Sequence, residues 1–144
     1  MVFSKILVPF DGSSFSIKSF KTALDIAKKH QSKIYVLTCL EKENLGAWYI
    51  DKRINKQIIL DAKNYAKDFL SKLENISKSS DTKISIHIEE TKSISKKIID
   101  FADSKKINLI IIGSHGHSGF DRIILGSVSN KVSQLAKCPV LIIR

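Results

Sequence analysis

Apolar residues along the chain fall into two alternating kinds of run, short β-like blocks and longer stretches at helical spacing. Ile6-Leu7-Val8 reads as a short buried strand. Ile17, Phe20, Leu24 and Ala27 then recur at helical spacing behind the potential caps Ser13 and Ser14. Lys33 to Leu40 (KIYVLTCL) is the second strand. A polar connection carrying Trp48 and Tyr49 follows, and Ile58, Ile59, Ala62, Ala66, Phe69, Leu70 and Leu73 mark a long amphipathic helix. The spacing predicts that this helix ends before a Ser/Lys-rich loop at Asn75 to Lys83. Ile84 to Ile88 alternates strictly between apolar and polar, as a third strand. Ile94, Ile98, Ile99 and Ala102 give the next helix, Leu109 to Ile112 the fourth strand, Val128, Val132, Leu135 and Ala136 the last helix, and Pro139 to Ile143 the fifth strand.

This βαβαβαβαβ order predicts an α/β fold, an open Rossmann-like sheet of five parallel strands with helices on both faces. Strands one and four are continuous apolar runs, as expected of central strands covered on both sides, whereas the alternating third strand suits a half-exposed edge. An order of 3-2-1-4-5 follows. In such a sheet the connections after strands one and four leave towards opposite faces, and the crevice between them, beyond the carboxyl ends, is where ligands bind. Asp11-Gly12-Ser13-Ser14 follows strand one, and GSHGHSGFDRIILGS, Gly113 to Ser127, follows strand four. The fifth strand would lie at the far edge yet reads Val140-Leu141-Ile142-Ile143. An apolar edge needs cover, and the expectation is a homodimer that pairs this strand with its copy; a loop or the last helix lying over the edge is the alternative.

The glycine-bearing stretch fails the common motif tests. Gly113-x-x-Gly116-x-x-Gly119 is not the dinucleotide G-x-G-x-x-G, and no G-x-x-x-x-G-K-[ST] occurs. Gly116-His117-Ser118-Gly119 misses the G-x-S-x-G nucleophile elbow by one residue. His115 and His117 have no third ligand beside them, so no metal site is expected. An anion cradle remains, with glycines that let backbone N–H groups approach a phosphate and Gly126-Ser127 opening the last helix. Asp11 would accept hydrogen bonds from ribose hydroxyls. The spacing alone leaves plainer roles open: Asp11 as a helix cap, Gly126 as a close-packing residue and Ser127 as an ordinary N-cap.

Composition adds limits. At 144 residues and 43% apolar content, the chain reads as one domain, 1–144. Its apolar runs fall far short of the roughly 18 to 20 residues of a membrane span, and no secretory leader pattern opens it, which points to the cytoplasm. Cys39 and Cys138 lack any metal or disulfide spacing and read as reduced, buried thiols. The net charge of +10 would attract polyanions. Apart from Arg53, Arg122 and Arg144 the basic residues are lysines scattered along the whole chain without interleaved aromatics, so a solvated surface is expected rather than a nucleic-acid face.

The spacing Gly113-x2-Gly116-x9-Gly126-Ser127, the tail GSVSNKVSQLAKCPVLIIR and the head KILVPFDGSS together resemble the universal stress protein family, specifically its ATP-binding branch. The resemblance implies that Gly113, Gly116, Gly126, Ser127 and Ser129 hold phosphates and ribose, with Val128 donating from its backbone. Pro9 and Asp11 would lie beside adenosine, with Ile112 and Cys39 flanking adenine. It implies a homodimer through Val140 to Ile143. The function implied is nucleotide-dependent regulation of the stress response through a protein partner, with ATP, ADP or AMP bound and Mg²⁺ as an optional companion. His117 departs from the family, since many members carry a basic residue there; protonated, it would screen phosphate charge, so binding would strengthen as pH falls towards about 6. Slow ATP hydrolysis is an alternative resting on Asp121 alone, with no catalytic residue otherwise singled out. An accessory nucleic-acid-binding role is a further alternative resting on charge.

Overall fold

In the computed structural model the described residues are 2–41, 52–116 and 125–144, and within the helix that starts at Lys52 the side chains of residues 52–56, 58 and 59 are not among them. Trp48, Tyr49, His117, Asp121 and Arg122, and the side chains of Ile58 and Ile59, therefore lie outside the described residues.

Strand and helix alternate along the chain as β1 (Lys5–Pro9), α1 (Ser14–His30), β2 (Lys33–Glu41), α2 (Lys52–Ser80), β3 (Ile84–Thr91), α3 (Ile94–Lys105), β4 (Leu109–Gly113), α4 (Ser127–Leu135) and β5 (Val140–Ile143). The strands form one parallel sheet in the order β3-β2-β1-β4-β5. This is the expected order, and burial explains why the sequence discloses it. Central β4 is buried at every position and β1 at its three inner ones, whereas every residue of β3 is half-buried.

Alternation along the strands divides the core in two. Ile6, Val8, Ile34, Val36, Leu109 and Ile111 face α1 and α2, meeting Phe20, Leu24, Leu70 and Leu73. Leu7, Tyr35, Leu37, Ile110 and Ile112 face the opposite way, against Ile98, Phe101 and Ala102 of α3 and Val132 of α4. Each fully buried aliphatic or aromatic side chain stabilises the fold by about 1.5–3 kcal/mol relative to exposure.

Three details differ from the sequence pattern. Ile17 is 40% exposed, because the stripe that α1 turns to the sheet is Ser16, Ser19, Phe20, Ala23, Leu24 and Ala27. Two serines can be buried there because Ser16 Oγ donates to Ser13 O at 2.9 Å and Ser19 Oγ to Phe15 O at 2.8 Å. Leu135 is 62% exposed at the last turn of α4, while Val132 one turn earlier anchors that helix. Finally, α2 does not stop at Asn75 but continues to Ser80. The serines read as loop formers are accommodated in the helix: Ser79 Oγ donates to Ile76 O at 2.8 Å and Ser80 Oγ to Ser77 O at 3.0 Å. The chain then leaves through Asp81, whose φ of 55° is left-handed.

Candidate functional site

The site follows from the divergence of two connections. After β1 the chain enters α1 on one face of the sheet; after β4 it reaches α4 on the other. Between them, at the carboxyl ends of neighbouring β1 and β4, lies a cleft of about 270 Å³. Pro9, Asp11, Cys39, Ile112, Gly113, Gly116, Gly126, Ser127, Val128 and Ser129 all line it. Every described residue assigned from the sequence to the nucleotide site thus lines one cleft.

One wall is apolar. Leu37, Ile98 and Ile112 are buried members of the α3/α4-side core, and Cys39, Ile94 and Val128 pack against them. Burial pushes the Cys39 thiol up to about 12, outweighing the lowering by the nearby Lys97 ammonium; Glu89 adds to the rise. The thiol is therefore neutral near pH 7 and part of the apolar wall.

The opposite side is polar and tightly built. Asp11 Oδ1 accepts from Ser13 N at 2.9 Å, which fixes the carboxylate at the mouth of α1. Its Oδ2 lies only 2.8 Å from where a Cβ on Gly116 would stand, so the β4 connection passes directly against the carboxylate. At Gly113 a Cβ would stand 2.6 Å from Phe15 Cβ. That glycine is required by the first turn of α1 packing on β4, a constraint invisible in the local sequence.

Gly126 and Ser129 converge on one carbonyl. Gly126 N and Ser129 Oγ each donate to Ser114 O at 2.8 Å, closing the connection between β4 and α4 at its base. The Gly126 N–H is thereby engaged by protein. What α4 offers to the cleft is its first turn, Ser127 to Ser129, whose amides precede the helical hydrogen-bond ladder. Helices α1 and α3 are capped by the side chains of Ser13 and Ser93. The N-cap of α4 is Gly126, which has no side chain to contribute. Among the described residues no side chain caps this helix end, and its dipole favours an anion there.

His115 also lines the cleft, its Nδ1 3.0 Å from Ser114 Oγ and its ring 5.6 Å from that of Phe15. Sequence reasoning weighed it only as a metal ligand; its place next to Gly116 was the signal that it faces the site. The apolar residues Leu37, Ile94 and Ile98 were missed as site residues because each satisfies an ordinary core pattern. Among the described residues no cluster of three His, Cys, Asp or Glu could hold a metal ion, and no helix is long and apolar enough to cross a membrane.

Residues 3–144 match the universal stress protein family. The chain is 34% identical to universal stress protein YxiE of Bacillus subtilis, with 99% of this chain and 100% of that protein covered. Among solved structures it is similar to universal stress protein UspA from Lactobacillus plantarum, with a TM-score of 0.89, 24% identity and 100% and 99% of the two chains covered. It is also similar to the universal stress protein from Archaeoglobus fulgidus solved in complex with dAMP, with a TM-score of 0.70, 23% identity and 100% of each chain covered.

Proposed function

Since the chain belongs to the universal stress protein family, we propose that its cleft binds an adenine nucleotide, ATP or its di- or monophosphate, and that the bound nucleotide regulates a protein partner in the stress response. The observation that carries the reading is the glycine-capped N-terminus of α4 sharing one cleft with the Asp11 carboxylate and an apolar wall. Those three features match the three parts of the ligand. Adenine takes the wall of Leu37, Cys39, Ile94 and Ile112. The ribose hydroxyls donate to Asp11. The phosphates take Gly116 and the amides of Ser127 and Val128. The dAMP bound to the Archaeoglobus fulgidus protein supports the adenine class of ligand. Any Mg²⁺ accompanying the phosphates would take its oxygens from them and from water.

Gly113, Gly126 and Ser129 enter this reading as residues that shape the cradle rather than as donors, since their close contacts are to Phe15 and Ser114. Asp11 is the one cleft carboxylate among the described residues, and it already accepts from Ser13 N, which favours binding over hydrolysis. The proposal includes a homodimer through Val140 to Ile143. Among the described residues β5 pairs on one side only, with β4, and its Leu141 is 38% exposed.

Mass spectrometry of small molecules released when the purified protein is denatured tests the reading. An adenine nucleotide at near-stoichiometric yield, or restored after incubation with ATP and gel filtration, is the expected result. No retention after loading with ATP, ADP or AMP at millimolar concentration would overturn it.

A further inference from the structure

The scattered lysines do not stay scattered once the chain folds. Lys5-Ile-Leu and Lys33-Ile-Tyr open β1 and β2, and Lys83, in Lys83-Ile-Ser, immediately precedes β3. Lys5 is in register with Lys33. Lys83 stands one residue before the Ile34–Ile84 pair, and Ile34 N donates to Lys83 O at 2.9 Å, which sets Lys83 beside Lys33. Strand alternation puts all three on the α3 face, at the amino ends of the strands and so at the far end of the sheet from the cleft. Neighbouring strands are about 4.8 Å apart, so the three lysines stand side by side as a ladder of like charge.

The surroundings add charge and aromatic surface. Lys5 Nζ donates to Lys105 O at 3.0 Å, bringing the last turn of α3 to the ladder. Lys33 Nζ lies 4.8 Å from the Tyr35 ring centroid and Lys105 Nζ 5.9 Å from that of Phe101. Among the described residues no ion pair involves Lys5, Lys33, Lys83 or Lys105. Next to them the half-exposed His87 ring is stacked 6.1 Å from Tyr35, with Ser85 Oγ 2.8 Å from its Nε2.

We propose that the Lys5–Lys33–Lys83 ladder, with Lys105 and His87 beside it, is a docking surface for the backbone of a short single-stranded nucleic acid. Ammonium groups on successive strands track phosphates, and the aromatic cluster of Tyr35, His87 and Phe101, with His87 half-exposed, lies beside them for a base to pack on. Three lysines one strand spacing apart suit successive phosphates of a flexible single strand, and an acidic peptide would leave the neighbouring aromatic cluster unused. The pKa of His87 lies below the ordinary value, first through burial and then through the Lys105 ammonium; Glu89 opposes, and Lys33 adds a smaller lowering. A phosphate drawn to the ladder offsets those ammonium charges and favours the imidazolium. The surface lies apart from the cleft, so it stands or falls independently of nucleotide binding there.

Fluorescence anisotropy of a labelled ten-residue oligothymidylate at moderate salt tests the surface. The variant Lys33→Ala/Lys83→Ala is compared with Lys67→Ala/Lys72→Ala, which removes the same charge from exposed positions on α2. The ladder variant is expected to bind at least tenfold more weakly and to lower the salt slope by about 1.4, for two lost phosphate contacts. The α2 variant is expected to stay within threefold of wild type, and Lys33→Arg/Lys83→Arg to restore affinity. In wild type, oligonucleotide should raise the His87 pKa measured by NMR. Equal losses in the two alanine pairs, an unmoved His87, equally tight binding of polyglutamate, or no binding by wild type would each overturn the proposal.

Discussion

Replacing Gly116 by Ala separates ligand binding from folding, because of what the new methyl would meet. Its Cβ would stand 2.8 Å from Asp11 Oδ2, so the carboxylate must retreat by roughly 0.6 Å to regain ordinary contact. Gly116 has a negative φ, so the backbone itself tolerates alanine. Retreat strains the bond from Ser13 N to Asp11 Oδ1 on this half-buried loop, and net hydrogen-bond values put that cost at about 0.5–1.5 kcal/mol. For a chain of this size the melting temperature should fall by no more than about 6 °C. The effect on the ligand is larger. If Asp11 accepts from ribose, a displaced carboxylate forfeits a charge-assisted hydrogen bond worth about 1.5–3 kcal/mol, or roughly tenfold to a hundredfold in Kd. Isothermal titration with ATP alongside a thermal melt reads both quantities. A variant that melts normally and binds ATP within threefold of wild type would refute the placement of ribose on Asp11.

Four further outcomes follow from the same geometry. Gly113→Ala drives a Cβ to 2.6 Å from Phe15 Cβ, close to the α1 backbone, so chemical denaturation should show a loss of about 1–3 kcal/mol while the folded fraction keeps its ATP affinity. Ser129→Ala removes one of two donors to Ser114 O and leaves the Gly126 N–H in place; a loss of about 0.5–1.5 kcal/mol is expected in urea, and a loss above about 3 would contradict the shared-carbonyl arrangement. Cys39 has a folded-state pKa raised from 9.0 to about 12, so the unfolded thiol ionises first, and its contribution to stability is complete below about pH 9 and lost as pH rises towards 12. A Cys39→Ala variant should show a flatter alkaline limb in pH-dependent melting. Leu141→Lys places a charge on the open strand β5 and should convert a dimer to monomer in light scattering, whereas an unchanged mass would remove β5 from the interface.

The sheet order was legible because burial writes itself into strand composition: Leu109-Ile110-Ile111-Ile112 suits a central strand and Ile84-Ser85-Ile86-His87-Ile88 an edge, although the apolar edge strand Val140-Leu141-Ile142-Ile143 shows that composition alone does not decide. Helix limits were less legible where serine could serve either loop or helix, as at Ser77 to Ser80. Buried faces were misjudged where small residues do the packing, as with Ser16 and Ser19 in place of Ile17. In the cleft, the residue types were visible but their duties were not. Gly113 is explained by Phe15 and Gly126 by Ser114, contacts made through space that no local pattern encodes. The lysine ladder was hidden for the same reason, since Lys5, Lys33 and Lys83 become neighbours only through the register of three strands.

The claim that the cleft between Asp11 and α4 is a nucleotide site is tested most directly by ¹⁵N NMR of the protein titrated with ATP. The account predicts saturable shifts largest at the amides of Gly116, Ser127 and Val128, with Cys39 perturbed from the adenine side and Gly113→Ala retaining the same pattern. No saturable shift at millimolar ATP, or shifts centred on Lys33 and Lys83 in place of the cleft, would contradict it.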